Sequence, residues 1–114
     1  MLISFLEMPS FDRFRASYLD DEAFLELQSM LMETPDAGDV IRGTGGLRKC
    51  RLADAKRQKG RRAGLRIIYY WHQELQVCWL FAIYDKNAQD DMTSQQKRAL
   101  KQVLEIQLKQ GKTL

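Results

Sequence analysis

GLRIIYYWHQELQVCWLFAIYDKN, residues 64–87, decides the fold. Residues 65–72 are rich in β-branched and aromatic side chains, Gln73-Glu74-Leu75 supply a polar turn, and residues 77–84 form a second run of the same kind. Two such runs joined by a short connection predict an antiparallel hairpin. Most of the aromatic run, Tyr69-Tyr70-Trp71 with Trp79 and Phe81, is expected in the core at strand spacing, although it has the look of a stacking platform for single strands.

Upstream, residues 47–53 alternate basic and apolar residues and suit a third strand, while 54–64 are Lys, Arg, Gln and Gly without apolar periodicity and read as a long exposed loop. Gly38-Asp39 and the GTGG at residues 43–46 read as turns. The GTGG lacks the GxxxxGK[ST] spacing of a nucleotide loop and leads into a strand instead of a helix. Further upstream, residues 2–7 suit a strand. Pro9-Ser10 end it, with Ser10 as a candidate N-cap for a short helix to about Tyr18. Asp20 and Asp21 open a second helix whose Phe24, Leu25, Leu27, Met30 and Leu31 keep helical spacing up to Thr34-Pro35. Downstream, Thr93 with Gln96 three residues later forms a capping box before Leu100, Val103, Leu104 and Leu108, a final helix ending near Gly111. The order of strand, two helices, three strands and helix predicts an α+β domain with a small, mainly antiparallel sheet.

At 114 residues the chain has the size of one domain, expected to span 1–114. Its 45% apolar and 29% charged residues suit a globular protein, and no run approaches the roughly 20 apolar residues of a membrane span. The start, MLISFLEMPSF, lacks the basic region and long apolar core of a secretory signal, so a cytoplasmic protein is expected. Cys50 and Cys78 lie in apolar runs without CxxC spacing and read as core thiols, not as a disulfide or metal ligands. No metal and no cofactor is implied.

The net charge of +3 is unevenly placed. Residues 1–41 carry two basic against nine acidic side chains, a balance of −7, whereas residues 42–66 carry ten basic against Asp54 alone, a balance of +9. So dense a positive field attracts polyanions, because neutralised phosphates release condensed counterions. Nucleic acid is the expected partner, with a solvated basic loop as the plain alternative.

Period-two alternation puts Lys49 and Arg51 on one side of their strand and Arg48, Cys50 and Leu52 on the other. If the three strands are neighbours, Lys49, Arg51, Arg66, Tyr84 and Lys86 converge at one end of the sheet into a phosphate-sized basic pocket. Such a pocket suits RNA cleavage by 2′-OH attack on the adjacent phosphorus, since arginine forks stabilise the negative charge that gathers in the transition state. Lys49, Lys86 or Tyr84 could move the protons; an amine crowded by cations gives up its proton more readily. Tyr84 could equally donate a hydrogen bond, stack on a base or sit at the rim of the core. His72, the only histidine, lies beside the hairpin turn and reads as a packing or surface residue. Arg66 could instead pair with Glu26 or Glu33 of the acidic helix.

GDVIRGTGGLRKCRLADAKRQKGRRAGLRIIYYW (residues 38–71), followed by LFAIYDKN (80–87), resembles the HigB-like branch of the RelE superfamily of type II toxin–antitoxin toxins. The resemblance covers about residues 34–104 and rests on a GDVI-GTGGLRK-R block, a basic Gly-containing loop, a G-x-R-I-I-Y-Y strand and an I-Y-x-K-N segment in that order. It implies a microbial RNase fold and metal-independent mRNA cleavage on the translating ribosome. It also implies a cognate helix-turn-helix antitoxin, with DNA contacted only through that antitoxin. Matched by position, Lys49, Arg51, Arg66, Tyr84 and Lys86 would be catalytic. Arg48 and the loop residues Lys56, Arg57, Lys59, Arg61 and Arg62 would grip RNA. The chain departs from the pattern at Asp85, where glycine is common and an anion would stand beside the phosphate or hold Lys86, and at Ala88, where glutamate is usual. Another branch of the fold poisons gyrase without cutting RNA, and a basic module that binds RNA without cleaving it is a further alternative.

Overall fold

The computed structural model describes residues 2–54, 57, 58, 60, 64–86 and 91–111. Among them, β1 (Ser4–Glu7) leads into α1 (Pro9–Tyr18) and α2 (Asp21–Glu33). After β2 (Asp39–Val40) and β3 (Arg48–Leu52) come β4 (Leu65–His72), β5 (Val77–Asp85) and α3 (Ser94–Gly111). The sheet order is β1-β5-β4-β3-β2. β5, β4, β3 and β2 are joined by antiparallel pairings and β1 lies parallel to β5, so the sheet is mainly antiparallel with one parallel edge. The two-residue β2 falls where the sequence reads as a turn. Asp39 and Val40 are both exposed, and only their pairing with Lys49 and Arg48 makes them a strand.

Each sheet face has its own cover. On the first, Phe11, Leu19, Leu27 and Leu31 of the α1–α2 hairpin pack against Cys50, Leu52, Leu65, Ile67, Tyr69, Cys78, Leu80 and Ile83. On the second, Leu104 and Met92, from and just before α3, pack with Ile41, Leu47, Ile68, Trp79 and Phe81. Both cysteines are free and buried, as read from the sequence. Burial pushes the Cys78 thiol up to about 12, with Cys50 adding to the effect.

The helix ends follow local chemistry. Asp20 caps α2 by accepting from the Ala23 amide at 2.8 Å. The Thr93–Gln96 capping box forms, with Gln96 N donating to Thr93 Oγ1 at 3.1 Å and Thr93 N to Gln96 Oε1 at 2.9 Å. Ser10 departs from expectation: Met8 is the N-cap of α1, and Ser10, already inside the helix, donates its hydroxyl to the Phe81 carbonyl of β5.

The GTGG segment is a built turn. Thr44, fully buried, donates to Ile41 O at 2.6 Å and accepts from Leu47 N at 3.2 Å, while Gly43 and Gly45 hold φ near +80°, where a Cβ is strained. A second tie holds the approach to β2. The Tyr69 hydroxyl donates to Pro35 O at 2.8 Å and accepts from Gly38 N at 2.9 Å, and burial raises its pKa to about 12 against the lowering effect of the Gly38 amide.

Candidate nucleic-acid interface

β3, β4 and β5 are neighbours, which brings the expected cations together. Arg51 pairs with Arg66 across β3 and β4, and Arg66 pairs with Tyr84 across β4 and β5. The three form one straight row across the sheet. Two pairs along, past Cys50, Ile67 and Ile83, the row Lys49, Ile68 and Ala82 is the next on the same face. Since Leu65 and Ile67 belong to the first-face core and Ile68 to the second, alternation puts Arg66, Arg51 and Lys49 on the second face, the one that carries α3.

Tyr84 reaches that face through an irregularity in β5. Ile68 pairs with Ala82 but Tyr69 with Leu80, so Phe81 is an extra residue without an opposite number. Trp79 and Tyr84, five positions apart, would point to opposite faces in a regular strand; the bulge restores them to the same one. It also determines where Asp85 goes. Asp85 pairs with Leu65 and falls on the first face, which corrects the expectation of an anion beside the phosphate site. Ala88 lies outside the described residues.

The row is graded in exposure. Arg51 is exposed, Tyr84 half-buried, and Arg66 only 4% exposed, with Nη1 donating to the Leu65 carbonyl at 3.2 Å. A guanidinium so buried in the sheet has little freedom to reorient. Glu26 and Glu33 belong to α2, which covers the opposite face. Lys49 Nζ stands 3.5 Å from Asp91 Oδ1, just ahead of α3. The Met92 amide, donating to Asp91 at 2.8 Å, is the main reason that carboxyl is lowered; slight burial opposes the shift, and Lys49 and Lys97 reinforce it. Lys86 is half-buried just past β5, its amide donating to Gly64 O at 3.2 Å.

Two arginines expected to grip RNA have work inside the protein. Arg48 Nη1 donates to Gly38 O at 2.8 Å and to Asp36 O at 3.2 Å, bracing the turn before β2. Arg57 Nη1 is 3.1 Å from Oδ2 of the fully buried Asp54, and its guanidinium lies over the Tyr18 ring at 5.2 Å, toward the helical hairpin. Lys56, Lys59, Arg61 and Arg62 lie outside the described residues. His72 is a packing residue, its Nδ1 accepting from Leu75 N at 3.2 Å and its ring against Trp79.

Beside the row, between α1, β5 and α3, lies a cleft of about 280 Å³ that the sequence did not reveal, walled by Phe14, Tyr84, Met92 and Leu100. Among the described residues no helix is long and apolar enough to cross a membrane.

No protein-family model matches the chain. Among solved structures it is similar to the isolated Escherichia coli RelE toxin, with a TM-score of 0.53 at 16% identity over 90% of this chain and 99% of that one. A double arginine-to-alanine mutant of the same toxin in the free state gives 0.51 at 19%, over 79% and 90%. The conserved hypothetical protein HP0892 from Helicobacter pylori gives 0.53 at 14%, over 75% and 97%. The chain therefore has the α+β fold of the RelE toxin, with a cationic row on the sheet face that carries its C-terminal helix.

Proposed function

We propose that this chain is the toxin of a type II toxin–antitoxin pair, of the HigB-like branch, and that it cleaves mRNA on the ribosome. The observation that carries the reading is the in-register row Arg51–Arg66–Tyr84, with Lys49 two pairs along on the same face. The likeness to RelE supports it through the fold.

A scissile phosphate seated on this row meets two guanidiniums, one buried and one exposed. The 2′-oxygen attacks phosphorus as its proton leaves, and the P–O5′ bond breaks with a proton delivered to O5′. The cyclic 2′,3′-phosphate remains on the upstream fragment. Extra negative charge on the pentacoordinate phosphorus is met by Arg66 and Arg51, whose forks stay ionised. Lys49, Lys86 and Tyr84 are the candidates for moving protons. The chemistry takes place between the 2′-oxygen, phosphorus and O5′, so the reading needs no metal ion. Arg48 and Arg57 steady the scaffold, and Lys56, Lys59, Arg61 and Arg62 would grip ribosomal or messenger RNA in the cytoplasm. The partner is a helix-turn-helix antitoxin.

Inducing the chain in bacteria should arrest growth and cut messages within translated frames, and Arg66→Ala should abolish both. Growth arrest with DNA damage and intact message would replace this reading with gyrase poisoning. Salt-sensitive RNA binding without cleavage on ribosomes would leave a binding module.

A further inference from the structure

We propose that the cleft between α1, β5 and α3 seats one nucleobase of the RNA whose phosphate lies on the Arg51–Arg66–Tyr84 row. The inference rests on the RNA reading of that row and adds what lies next to the phosphate.

Three observations carry it. The first is continuity: Tyr84 ends the cationic row and also lines the cleft, as does Ala82, which ends the neighbouring Lys49–Ile68 row. A nucleotide with its phosphate over β3 and β4 thus has its base delivered toward β5. The second is size. At about 280 Å³ the cleft lies just below the usual range of small-molecule sites, about 300–1,000 Å³, so it suits one flat ring better than a length of chain.

The third is charge. Among the described residues no Lys, Arg, Asp, Glu or His lines the cleft, although cations crowd the sheet beside it. A phosphate gains little among these walls, whereas a base gains the aromatic surface of Tyr84 and of Phe14, over whose ring the Arg13 guanidinium lies at 5.5 Å, and the apolar surfaces of Met92 and Leu100. Ser10, whose hydroxyl donates to Phe81 O, and Gln96, whose Oε1 accepts from Thr93 N, add polar atoms to an otherwise apolar wall, of the kind that distinguish base edges.

The test is an amide-shift titration of the whole chain with the four nucleoside 5′-monophosphates and, separately, with inorganic phosphate. Phosphate should move the amides of Lys49, Arg51 and Arg66. The nucleotides should also move those of Ala82, Gln96 and Ala99, to different extents for different bases. Ala99→Phe, made at an exposed position on the cleft wall, should weaken nucleotide binding at least tenfold and leave phosphate binding as it was. Gln96→Glu keeps an oxygen to accept from Thr93 N, so α3 stays capped, but it removes the amide donor and should reorder the preference among bases. Nucleotides that move only the phosphate-responsive amides, or that bind Ala99→Phe as tightly as the unaltered chain, would overturn the nucleobase site and leave the row's function standing. If neither nucleotide nor phosphate moves the row, the RNA reading falls and the cleft's role with it.

Discussion

Arg66 and Tyr84 face each other across β4 and β5 because Phe81, three residues before Tyr84, is an extra residue that shifts the alternation of its strand. The pairing puts a buried guanidinium and a phenol side by side on one face. Arg66→Ala should lower cleavage of ribosome-bound message by about a hundredfold or more, the usual effect of removing one preorganised donor at developing charge. Arg66→Lys keeps the charge but not the planar fork and should fall between the two. Denaturant midpoints on both variants separate lost chemistry from lost folding.

Ser10 holds the irregularity in place by donating to the Phe81 carbonyl. Ser10→Ala should cost about 1 kcal/mol of stability, the ordinary contribution of one hydrogen bond. It should also reduce cleavage several-fold, since a loosened bulge misplaces Tyr84 against Arg66. Ser10→Thr, which keeps the hydroxyl, should restore both. Equal cleavage by all three proteins would show that the bulge holds itself.

Asp91 shares the surroundings of Lys49. Asp91→Asn should raise the affinity for a short single-stranded RNA a few-fold at low salt, with the gain fading as salt screens the site, because an anion next to the phosphate path is removed. Filter binding at two ionic strengths checks this. No change at low salt would mean that RNA does not pass Lys49.

Tyr69 and Cys78 give the fold an alkaline limit. Both are raised to about 12 by burial, from ordinary values of 10.0 and 9.0. In each the native state keeps a proton that the unfolded chain releases sooner. Their contribution is therefore complete below about pH 9 and is lost as pH climbs toward 12. Urea midpoints should fall across that window. Tyr69→Phe should flatten part of the slope and also cost about 1–3 kcal/mol at neutral pH, because the Gly38 amide loses its acceptor and Pro35 O its donor.

The hairpin, the helical pair and the capping box of α3 were legible because each is written in local pattern: strand runs around a polar turn, apolar spacing of 3.6, and Thr93 with Gln96. The grouping of Lys49, Arg51, Arg66 and Tyr84 was legible as a conditional, and strand adjacency met the condition. The bulge was not, since nothing in CWLFAIY marks which residue loses its partner; Asp85 was placed by its nearness to Tyr84 and Lys86 in sequence, although alternation sends it to the face opposite Tyr84. β2 was hidden because two residues have no periodicity. The inward roles of Arg48 and Arg57 were hidden because a guanidinium bound to carbonyls or to Asp54 has the same sequence signature as one waiting for phosphate. The cleft was invisible for a similar reason: its walls come from three elements far apart in the chain.

The parallel pairing of β1 with β5 has a consequence for synthesis. Ser4 leaves the ribosome well before its partner Val77, which lies 73 residues further along the chain. Closing so long a loop is slow, and the opening strand has no neighbour until it closes. Arg51 likewise cannot join its row until Arg66 and Tyr84 have followed it out. A nascent chain stopped short of β5 therefore has no assembled row, and whatever the row binds cannot be engaged until β5 has been made.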